Sequence, residues 1–564
     1  MKKSGSKNSN RRSLVGVAGG ATTVLIVFVL VSGFTRTGDD TLYKVGKGID
    51  LFGSIYKELI FNYVDEIDPL ELMNAGIEGM LTSLDPYTVY IDEQDKSDVD
   101  ILTTGQYGGL GISVRKRNNR LIITDLLGGH PPNTRKLHIG DEIIEVDGVD
   151  VVSDPTIDIK GLLRGKPGTK VSVRVSRPGV DNPLSLEVTR RAVLLSNVSY
   201  SKVLNDSIGY IKLDRFSRRA GEDMREAIHE LQKRAPLKAL IVDVRNNPGG
   251  LLDASVDVSE KFLPSGSLIV STKGRKDRFE KRFYGQEAPL VPDLPLVVLV
   301  NGRSASASEI FAGAIQDYDR GLIVGTSTYG KGLVQNIIPL SYNSSLKITT
   351  SKYYTPSGRC IQKTSRLARN GKVLKIDEAI DTTRVFPTLR LHRDMKDAGG
   401  IEPDFLQKVH EYNKFVESLK DEGYIFDFVT LSVNTGIQTD LSFDEPKIRS
   451  RFLTFIDSSL ADSSNVLNRS FASLLEEAKD HGYSSTDLTS IESIRDRMNM
   501  RTRSRAEDHW GDIFHELQVE FAKQLEGQEM QLEMALPFDK QVLTAISLLQ
   551  NEDRYIAGFS GDED

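Results

Sequence analysis

The fold can be inferred from the segment Asn301-Gly302-Arg303-Ser304-Ala305-Ser306-Ala307-Ser308-Glu309. It lies between an apolar run at residues 296–300 and a helix-like apolar pattern at residues 310–315. This succession predicts a strand, a tight turn and a helix. A serine at such a turn can present its hydroxyl in a cleft, close to the backbone N–H groups of the helix start. Ser306 is therefore a candidate nucleophile.

A second stretch begins shortly afterwards and reads Tyr329-Gly330-Lys331-Gly332-Leu333-Val334-Gln335. A serine nucleophile needs a base, and a lysine can be that base once burial lowers its pKa. The flanking glycines let other backbone approach Lys331 closely. If residues 331–335 are extended, the period of two places Lys331 and Gln335 on one face, where Gln335 can orient the lysine amine.

Each motif also has a purely structural interpretation. Ser306 and Glu309 fit a capping box, in which the serine caps the helix and the glutamate reaches back. A Gly-Lys-Gly loop can be a solvated turn. A rival lysine, Lys352, lies in a β-type run without flanking glycines, and we interpret it as structural.

Together and in this order, the motifs resemble those of the carboxy-terminal processing proteases, tail-specific serine peptidases that pair a PDZ domain with a Ser-Lys catalytic core. The resemblance implies that Ser306 is the nucleophile, that Lys331 is the base and that Gln335 assists the lysine. It covers about residues 45–404 and includes the stretches 351–359 and 400–404. About 35 residues, many of them charged, intervene between Gln362 and Gly399, and we expect a surface excursion there.

The region between residues 197 and 404 alternates strand and helix patterns, which indicates βαβ units. Its near-continuous apolar run at residues 239–244 is typical of a strand covered on both faces, and it ends in Arg245-Asn246-Asn247-Pro248-Gly249-Gly250. The resemblance implies a crotonase/Clp-protease-like catalytic core. It also implies an oxyanion hole made by the N–H groups of Ala307 and of Gly249 or Gly250, each donor contributing about 3 kcal/mol.

Residues 97–190 carry short β-type runs separated by turn residues, which indicates a β-rich domain. Residues 107–112 (Tyr-Gly-Gly-Leu-Gly-Ile) and 139–148 resemble the two signatures of a PDZ domain. In such a domain, successive backbone N–H groups bind a terminal carboxylate and a strand edge accepts the peptide. The binding loop would comprise Gly109, Leu110, Gly111 and Ile112, and the partners would be proteins or peptides with free C-termini. A glycine-rich hairpin without a ligand is the alternative.

Composition excludes several other classes. The 564 residues include 72 basic and 79 acidic side chains, a net charge of −7, and no basic block follows the N-terminus, so nucleic acid is an unexpected partner. A single cysteine, Cys360, rules out an intramolecular disulfide framework. The eight histidines form no H-E-x-x-H motif. We expect no metal and no cofactor.

The N-terminus reads as a targeting segment, with a basic stretch at residues 1–12 and an uncharged run at residues 13–35. Such a run can span a bilayer with its positive flank in the cytoplasm. We favour an uncleaved anchor, and a cleaved signal peptide is the alternative. Either way, the remaining chain is expected in the cell envelope, on the periplasmic side of the inner membrane.

Helical patterns flank the two central domains. Residues 43–96 predict a helical N-terminal segment, with a second helix at residues 69–81 that begins after Asp68, a good N-cap. Residues 405–564 predict a helical C-terminal region without a catalytic motif, which is either an interaction or oligomerisation domain or a bundle without a partner. The expected fold class is therefore α/β multidomain, with a PDZ domain inserted between helical regions and the catalytic core.

The expected function is that of an exported serine endopeptidase that recognises C-terminal tails and acts through an acyl-enzyme. A trypsin-like protease with a PDZ domain is discarded, because its G-N-S-G-G motif is absent from the sequence. A binding scaffold without catalytic activity on the same fold remains as the alternative, and the joint presence of Ser306, Lys331 and Gln335 argues against it.

Overall fold

The computed structural model describes residues 39–92, 101, 103–117, 120–127, 136–153, 157–275, 278, 280–363, 367–369, 372–374, 384–397, 399–408, 413–461 and 466–560. The basic stretch at residues 1–12 and the run at 13–35 lie outside these ranges. Inside them, no helix combines the length and the apolar character that crossing a membrane requires. The described residues separate into two compact units, the first ending at Leu84 and the second beginning at Asp85.

The helices of the described residues are, in chain order, α1 (Asp39–Asn62), α2 (Pro69–Leu81), α3 (Ile159–Leu163), α4 (Ala220–Arg234), α5 (Leu252–Ser259), α6 (Ala307–Asp317), α7 (Lys414–Asp421), α8 (Tyr424–Asn434), α9 (Glu445–Ala461), α10 (Val466–Asp480), α11 (Ser485–Asp508), α12 (Trp510–Glu526), α13 (Gln528–Ala535), α14 (Lys540–Gln550) and α15 (Glu552–Ala557). A short 3₁₀ turn, Leu536–Phe538, precedes α14.

The strands are, in the same order, β1 (Val89–Ile91), β2 (Gln106–Gly109), β3 (Ile112–Arg117), β4 (Arg120–Leu126), β5 (Glu142–Val146), β6 (Val149–Asp150), β7 (Lys170–Ser176), β8 (Leu184–Thr189), β9 (Arg191–Leu194), β10 (Val198–Leu204), β11 (Ile208–Leu213), β12 (Ala239–Asp243), β13 (Leu268–Gly274), β14 (Lys281–Tyr284), β15 (Leu296–Val300), β16 (Leu322–Gly325), β17 (Leu333–Pro339), β18 (Ser345–Tyr354), β19 (Leu367–Arg369), β20 (Lys372–Leu374), β21 (Val385–Pro387), β22 (Asp394–Lys396) and β23 (Phe405–Leu406).

The first unit contains the two predicted N-terminal helices, α1 and α2. The carboxylate of Asp68 accepts the N–H groups of Leu70 and Glu71, at 2.7 and 3.3 Å, and Pro69 occupies the first helical position. A proline there needs no hydrogen-bond acceptor, since the first N–H groups of a helix have no partner within it. The helix therefore begins where the sequence predicts.

The second unit contains a β-rich domain built on the sheet order β3-β4-β5-β7-β8, with β6 paired to β5. Its strands are explained by the alternation of apolar and polar residues in the sequence. In β7, Val171, Val173 and Val175 are buried, whereas the residues between them are exposed. Strand β3 lies at the edge of this sheet, and β2 pairs separately with β9. The strands and the edge position agree with the predicted PDZ domain.

The predicted catalytic core contains a six-stranded sheet in the order β10-β11-β12-β15-β16-β23. All neighbouring pairs are parallel except β10 with β11. Strands β12 and β15 are buried along their whole length, as their continuous apolar sequences predict. Helices α4, α5 and α6 contribute to the hydrophobic core on one face of this sheet. This is the βαβ architecture expected from the sequence.

A second sheet carries the lysine region, with the order β1-β18-β13-β14 and β17 paired to β18. Strand β1 lies within residues 43–96, which the sequence predicted as helical, and that prediction is wrong there because β1 pairs antiparallel with β18. Lys352 lies within β18, between Leu333 of β17 and Lys273 of β13. This position agrees with a structural role for Lys352.

The C-terminal region is helical, but it has two parts with different cores. Helices α7, α8, α9, α11 and α12 share an aromatic-rich core of their own. The last helices contribute Leu536, Val542, Ala545 and Leu548 to the core on the other face of the catalytic sheet. The region predicted as uniformly helical from residue 405 also begins with a strand, β23, because that segment completes the parallel sheet beside β16.

The excursion between residues 363 and 398 is described in part. Two short hairpins, β19–β20 and β21–β22, lie within it. The Arg393 guanidinium, close to the second hairpin, bonds to the carboxylates of Asp319 and Asp404 at 2.7 Å each. This pairing anchors the second hairpin to the catalytic core.

Candidate active site

The candidate nucleophile, Ser306, lies at the turn between β15 and α6. Its φ of +56° and ψ of −112° place a non-glycine residue in a sparsely populated backbone conformation. The hydroxyl of Tyr353 donates to the Ser306 carbonyl oxygen at 3.1 Å and helps to hold that conformation. Strain of this kind is typical of serines on strand-to-helix turns that serve as nucleophiles.

The carboxylate of Glu309 joins the serine turn to the lysine loop. Its Oε2 atom accepts the backbone N–H groups of Ser306 and Lys331, at 2.8 and 2.9 Å. Its Oε1 atom accepts the N–H group of Gly330 and the hydroxyl of Thr328, both at 2.6 Å. Burial raises the pKa of Glu309, while these four hydrogen bonds act to lower it. The capping-box contact of Glu309 is thus present, and it also orders the site.

The candidate base, Lys331, is largely buried, and its side-chain nitrogen lies 4.4 Å from the centre of the Tyr87 ring. Burial, reinforced by the nearby positive charge of Lys347, lowers the pKa of Lys331 to about 8, although the charges of Glu309 and Asp85 act in the opposite direction. A lysine with this pKa is neutral in an appreciable fraction of molecules near neutral pH. It therefore has the property that a general base requires.

Gln335 lies in the same region, but its contacts differ from those expected. Its Nε2 atom donates to the hydroxyl of Thr349 at 3.1 Å, and that hydroxyl donates to Asp85 at 3.1 Å. No hydrogen bond joins Gln335 to Lys331 in the described part of the chain. Lys331 precedes the first residue of β17, Leu333, so strand alternation does not place it on the same face as Gln335. The pairing with β18 is also irregular between Val334 and Gln335.

The turn at residues 246–250 lies directly against the nucleophile. A side-chain carbon on Gly249 would lie 2.9 Å from the Ser306 Cβ atom and 2.6 Å from the Ala305 carbonyl oxygen. The Asn247 carbonyl oxygen accepts the Ala305 N–H group at 3.0 Å and the Ser308 hydroxyl at 2.9 Å. Only glycine fits at position 249, which has a φ of +99°.

The predicted oxyanion donors differ in their availability. The Gly249 N–H group donates to the side-chain oxygen of Asn247 at 2.8 Å, so it is already engaged. The N–H groups of Gly250 and Ala307 have no acceptor among the residues that the structure describes. Between the two glycines offered by the sequence, the structure therefore favours Gly250 as the partner of Ala307.

The four predicted tail-binding residues connect β2 to β3. Gly109 ends β2, Leu110 is buried, Gly111 has a φ of +67°, and Ile112 begins β3. The positive φ turns the chain so that the loop runs directly into the sheet edge. The geometry that the PDZ signature requires, a glycine loop followed by an edge strand, is present.

Two contributors to the site were not identified as such from the sequence. Glu309 was considered only as a helix cap, and Tyr87 was not singled out. The capping-box spacing pointed to Glu309, but it gave no sign that the lysine loop shares the same carboxylate. No group of three or more His, Cys, Asp or Glu side chains in the described ranges is arranged to hold a metal ion.

Four family models match successive parts of the chain. They are the CtpB N-terminal domain at residues 35–95, the PDZ domain at 108–188, peptidase family S41 at 207–369, and the C-terminal helical domain of a probable PDZ-protease at 411–549. The last match corrects the expectation that family likeness ends near residue 404. Together with the fold, these matches define a serine-type peptidase that carries a PDZ domain.

Two similar proteins show the family. The chain is 37% identical to the carboxy-terminal-processing protease of Bartonella bacilliformis over 354 residues, which cover 62% of this chain and 80% of that protein. It is 38% identical to the carboxyl-terminal-processing protease of Synechocystis over 297 residues, covering 51% and 68%. The chain belongs to the carboxy-terminal-processing protease family.

Two similar solved structures add a weaker likeness. The photosystem II D1 C-terminal processing protease is 27% identical, with a TM-score of 0.35 and coverage of 55% of this chain and 89% of that chain. A putative S41 protease from Bacteroides fragilis is 15% identical, with a TM-score of 0.36 and coverage of 67% and 93%. These scores are too low to bear on the site.

Proposed function

We propose that this protease cleaves peptide bonds with Ser306 as nucleophile and Lys331 as general base, through an acyl-enzyme. The observation that carries the proposal is the Glu309 carboxylate, one oxygen of which accepts the backbone N–H groups of both residues. The strained backbone of Ser306 and the lowered pKa of Lys331 support the same roles.

The proposed reaction begins with neutral Lys331. Its amine takes the proton of the Ser306 hydroxyl while Oγ attacks the carbonyl carbon of the scissile bond. The N–H groups of Gly250 and Ala307 stabilise the resulting oxyanion. When the C–N bond breaks, the lysine ammonium returns its proton to the leaving amine. Water then attacks the acyl-enzyme with Lys331 again as base, which releases the acid and regenerates Ser306.

Gln335 is proposed to orient Lys331 rather than to react. In the described arrangement its amide nitrogen is held by Thr349, which is itself bonded to Asp85. A fixed amide nitrogen directs the amide oxygen of the same group, and an oxygen is the atom that could accept a lysine N–H.

Substrate recognition is proposed to occur at the PDZ domain. The loop at residues 109–112 would bind the terminal carboxylate through backbone N–H groups, and the edge strand β3 would pair with the preceding residues of the tail. Protein or peptide substrates with free C-termini are the expected class. The known family activity supports this class, and the loop-and-edge geometry supports the location.

Export and membrane attachment rest on the sequence of residues 1–35. A basic stretch followed by an uncharged run supports an anchor that leaves the protease on the periplasmic side of the inner membrane. We also propose that copies of the protein contact one another through the N-terminal helical segment, residues 43–96.

The test is cleavage of an unfolded model protein bearing an apolar C-terminal tag, by wild-type protein and by Ser306→Ala. We expect loss of cleavage in Ser306→Ala with an unchanged melting temperature. Labelling by a fluorophosphonate, which reacts with activated serines, should be lost in parallel. Retained cleavage by Ser306→Ala would remove this serine from the mechanism. An inactive wild-type protein that still binds the tag would favour the binding scaffold.

A further inference from the structure

A buried ion-pair network holds the residue that directly precedes the catalytic turn at residues 246–250. Arg245, the residue that precedes the turn, donates through Nε and Nη2 to the Asp243 carboxylate at 2.6–3.0 Å. The carbonyl oxygen of Arg245 accepts from Lys212 Nζ at 2.5 Å. Burial alone would raise the pKa of Asp243, but Arg245 and Lys212 lower it well below its usual range. The arginine therefore stays charged and fixed.

The remaining donor nitrogen of Arg245 is bound by the end of the chain. Nη1 donates to Gln541 Oε1 at 2.8 Å and pairs with Asp539 Oδ2 at 2.7 Å. Gln541 is fully buried, and its Nε2 atom donates to the Gln407 carbonyl oxygen at 2.6 Å. Asp539 also caps α14, since its Oδ1 atom accepts the N–H groups of Gln541 and Val542.

These contacts cannot be explained by the packing of α14 alone. The apolar side chains of α14 already cover the catalytic sheet, and an apolar residue at position 541 would pack there without desolvation cost. A buried glutamine and a capping aspartate instead satisfy a guanidinium that lies one residue before the turn. We propose that Asp539 and Gln541 are positioning residues for catalysis, which act through Arg245 on the turn that supplies the Gly250 N–H group.

The path from Arg245 to the reacting atoms is short. Asn246, with a φ of +60°, exchanges hydrogen bonds with Asn301, and Asn247 binds the backbone beside Ser306. A rotation of the Arg245 backbone would therefore move the Gly250 donor relative to the nucleophile. Because oxyanion stabilisation depends on donor position, such a shift reduces the rate of attack and has little effect on ground-state binding.

The experiment compares Gln541→Met, Asp539→Asn and Thr544→Val in the full-length protein. Methionine keeps the volume of Gln541 and removes both of its hydrogen bonds. Asparagine keeps an oxygen that can cap α14 and removes the charge facing Arg245. The control, Thr544, lies one turn further along α14 and bonds to Gln407 at 3.2 Å without touching Arg245.

We expect Gln541→Met to lower kcat about 10- to 100-fold with KM for a short peptide unchanged. Asp539→Asn should lower kcat in the same direction, and fluorophosphonate labelling should slow by a similar factor in both variants. Thr544→Val should behave as wild type. If Gln541→Met does not fold, Asp539→Asn alone tests the inference, since it preserves the helix cap.

If the role is purely structural, Gln541→Met should have a lower melting temperature and an unchanged kcat per folded molecule. Asp539→Asn should then behave as wild type in every respect. That result would overturn the inference. The inference rests on the proposed roles of Ser306 and Gly250, so Ser306→Ala is assayed in parallel. Loss of activity in Ser306→Ala beside full activity in Gln541→Met and Asp539→Asn would refute only the positioning role. Activity in Ser306→Ala would refute the proposed function itself.

Discussion

The side-chain nitrogen of Lys331 lies over the aromatic ring of Tyr87, 4.4 Å from its centre. The ring shields the amine from water on one side, and burial is the largest cause of the lowered pKa of Lys331. The ring face also attracts the ammonium form, by about 0.5–2 kcal/mol, which limits the lowering. With a pKa of about 8, the lysine can still change its protonation state near neutral pH.

The first prediction concerns the base. Lys331→Arg keeps the positive charge and the approximate length, but a guanidinium stays protonated and cannot accept the serine proton. We expect peptide cleavage to fall at least about 100-fold, with an unchanged melting temperature. Lys352→Arg is the matched control and should retain activity. Near-wild-type turnover by Lys331→Arg would exclude the lysine as base.

The second prediction concerns pH. Activity that needs neutral Lys331 should rise with pH and reach half its maximum near pH 8, the pKa of this lysine. Lys347 lowers that pKa through repulsion of like charge, so Lys347→Met should raise it and move the rising limb of kcat to higher pH. Lys273→Met, on β13, serves as control. A rising limb that does not move in Lys347→Met would contradict the assignment.

The third prediction concerns the turn beside the nucleophile. Gly249→Ala would place a methyl group 2.9 Å from Ser306 Cβ and 2.8 Å from the Ala307 nitrogen. We expect activity to fall about 100-fold or more, because the turn must move away from the oxyanion site. Gly266→Ala has a similar positive φ but open space around it, and should cost only about 1 kcal/mol of stability. Equal losses of activity in both variants would point to general destabilisation.

The fourth prediction concerns the tail. Amidation of a peptide substrate removes the terminal charge that the N–H groups of the loop at residues 109–112 would bind. The value of kcat/KM should fall about tenfold, the loss expected for one charge-assisted hydrogen bond. Labelling of Ser306 by a fluorophosphonate should not change. Equal kcat/KM for the acid and the amide would show that free termini are not recognised.

The fifth prediction concerns the contact between the PDZ domain and the C-terminal helical region. Arg117, at the end of the edge strand β3, binds both carboxylate oxygens of Asp427 in α8, at 2.5 and 2.6 Å. Asp427→Arg should loosen the contact, and hydrogen exchange around residue 423 should rise. The double variant Arg117→Asp with Asp427→Arg should recover about 1 kcal/mol relative to additivity. Additive effects would mean that the pair is not coupled.

Much of the architecture could be predicted because its causes are local. The buried run at residues 239–243 and the alternation in residues 170–176 each show their sheet environment through residue type and period. Asp68 and the proline after it similarly mark the start of α2. Such patterns depend on neighbours within a few positions, so the sequence carries them directly.

The site was predictable only as a set of residues. The resemblance of the two stretches to one family indicated that Ser306 and Lys331 belong to one site, but it could not show which groups orient them. Gln335 binds Thr349, which lies opposite it in the irregular pairing of β17 with β18. These features depend on β18, which a pattern confined to residues 331–335 does not include.

The strand-to-helix turn at Ser306, the glycine turns at residues 109–111 and 249–250, and the order of the domains could be inferred from the residues alone. The folded arrangement was needed to show that Glu309 binds the serine and lysine backbones together, and that Gln541 contacts Arg245 from the far end of the chain. The two kinds of feature differ in the range of the interactions that produce them. Periodicity and turn chemistry act over a few residues, whereas a buried charge or amide must be satisfied by whichever polar group the packed fold brings near it.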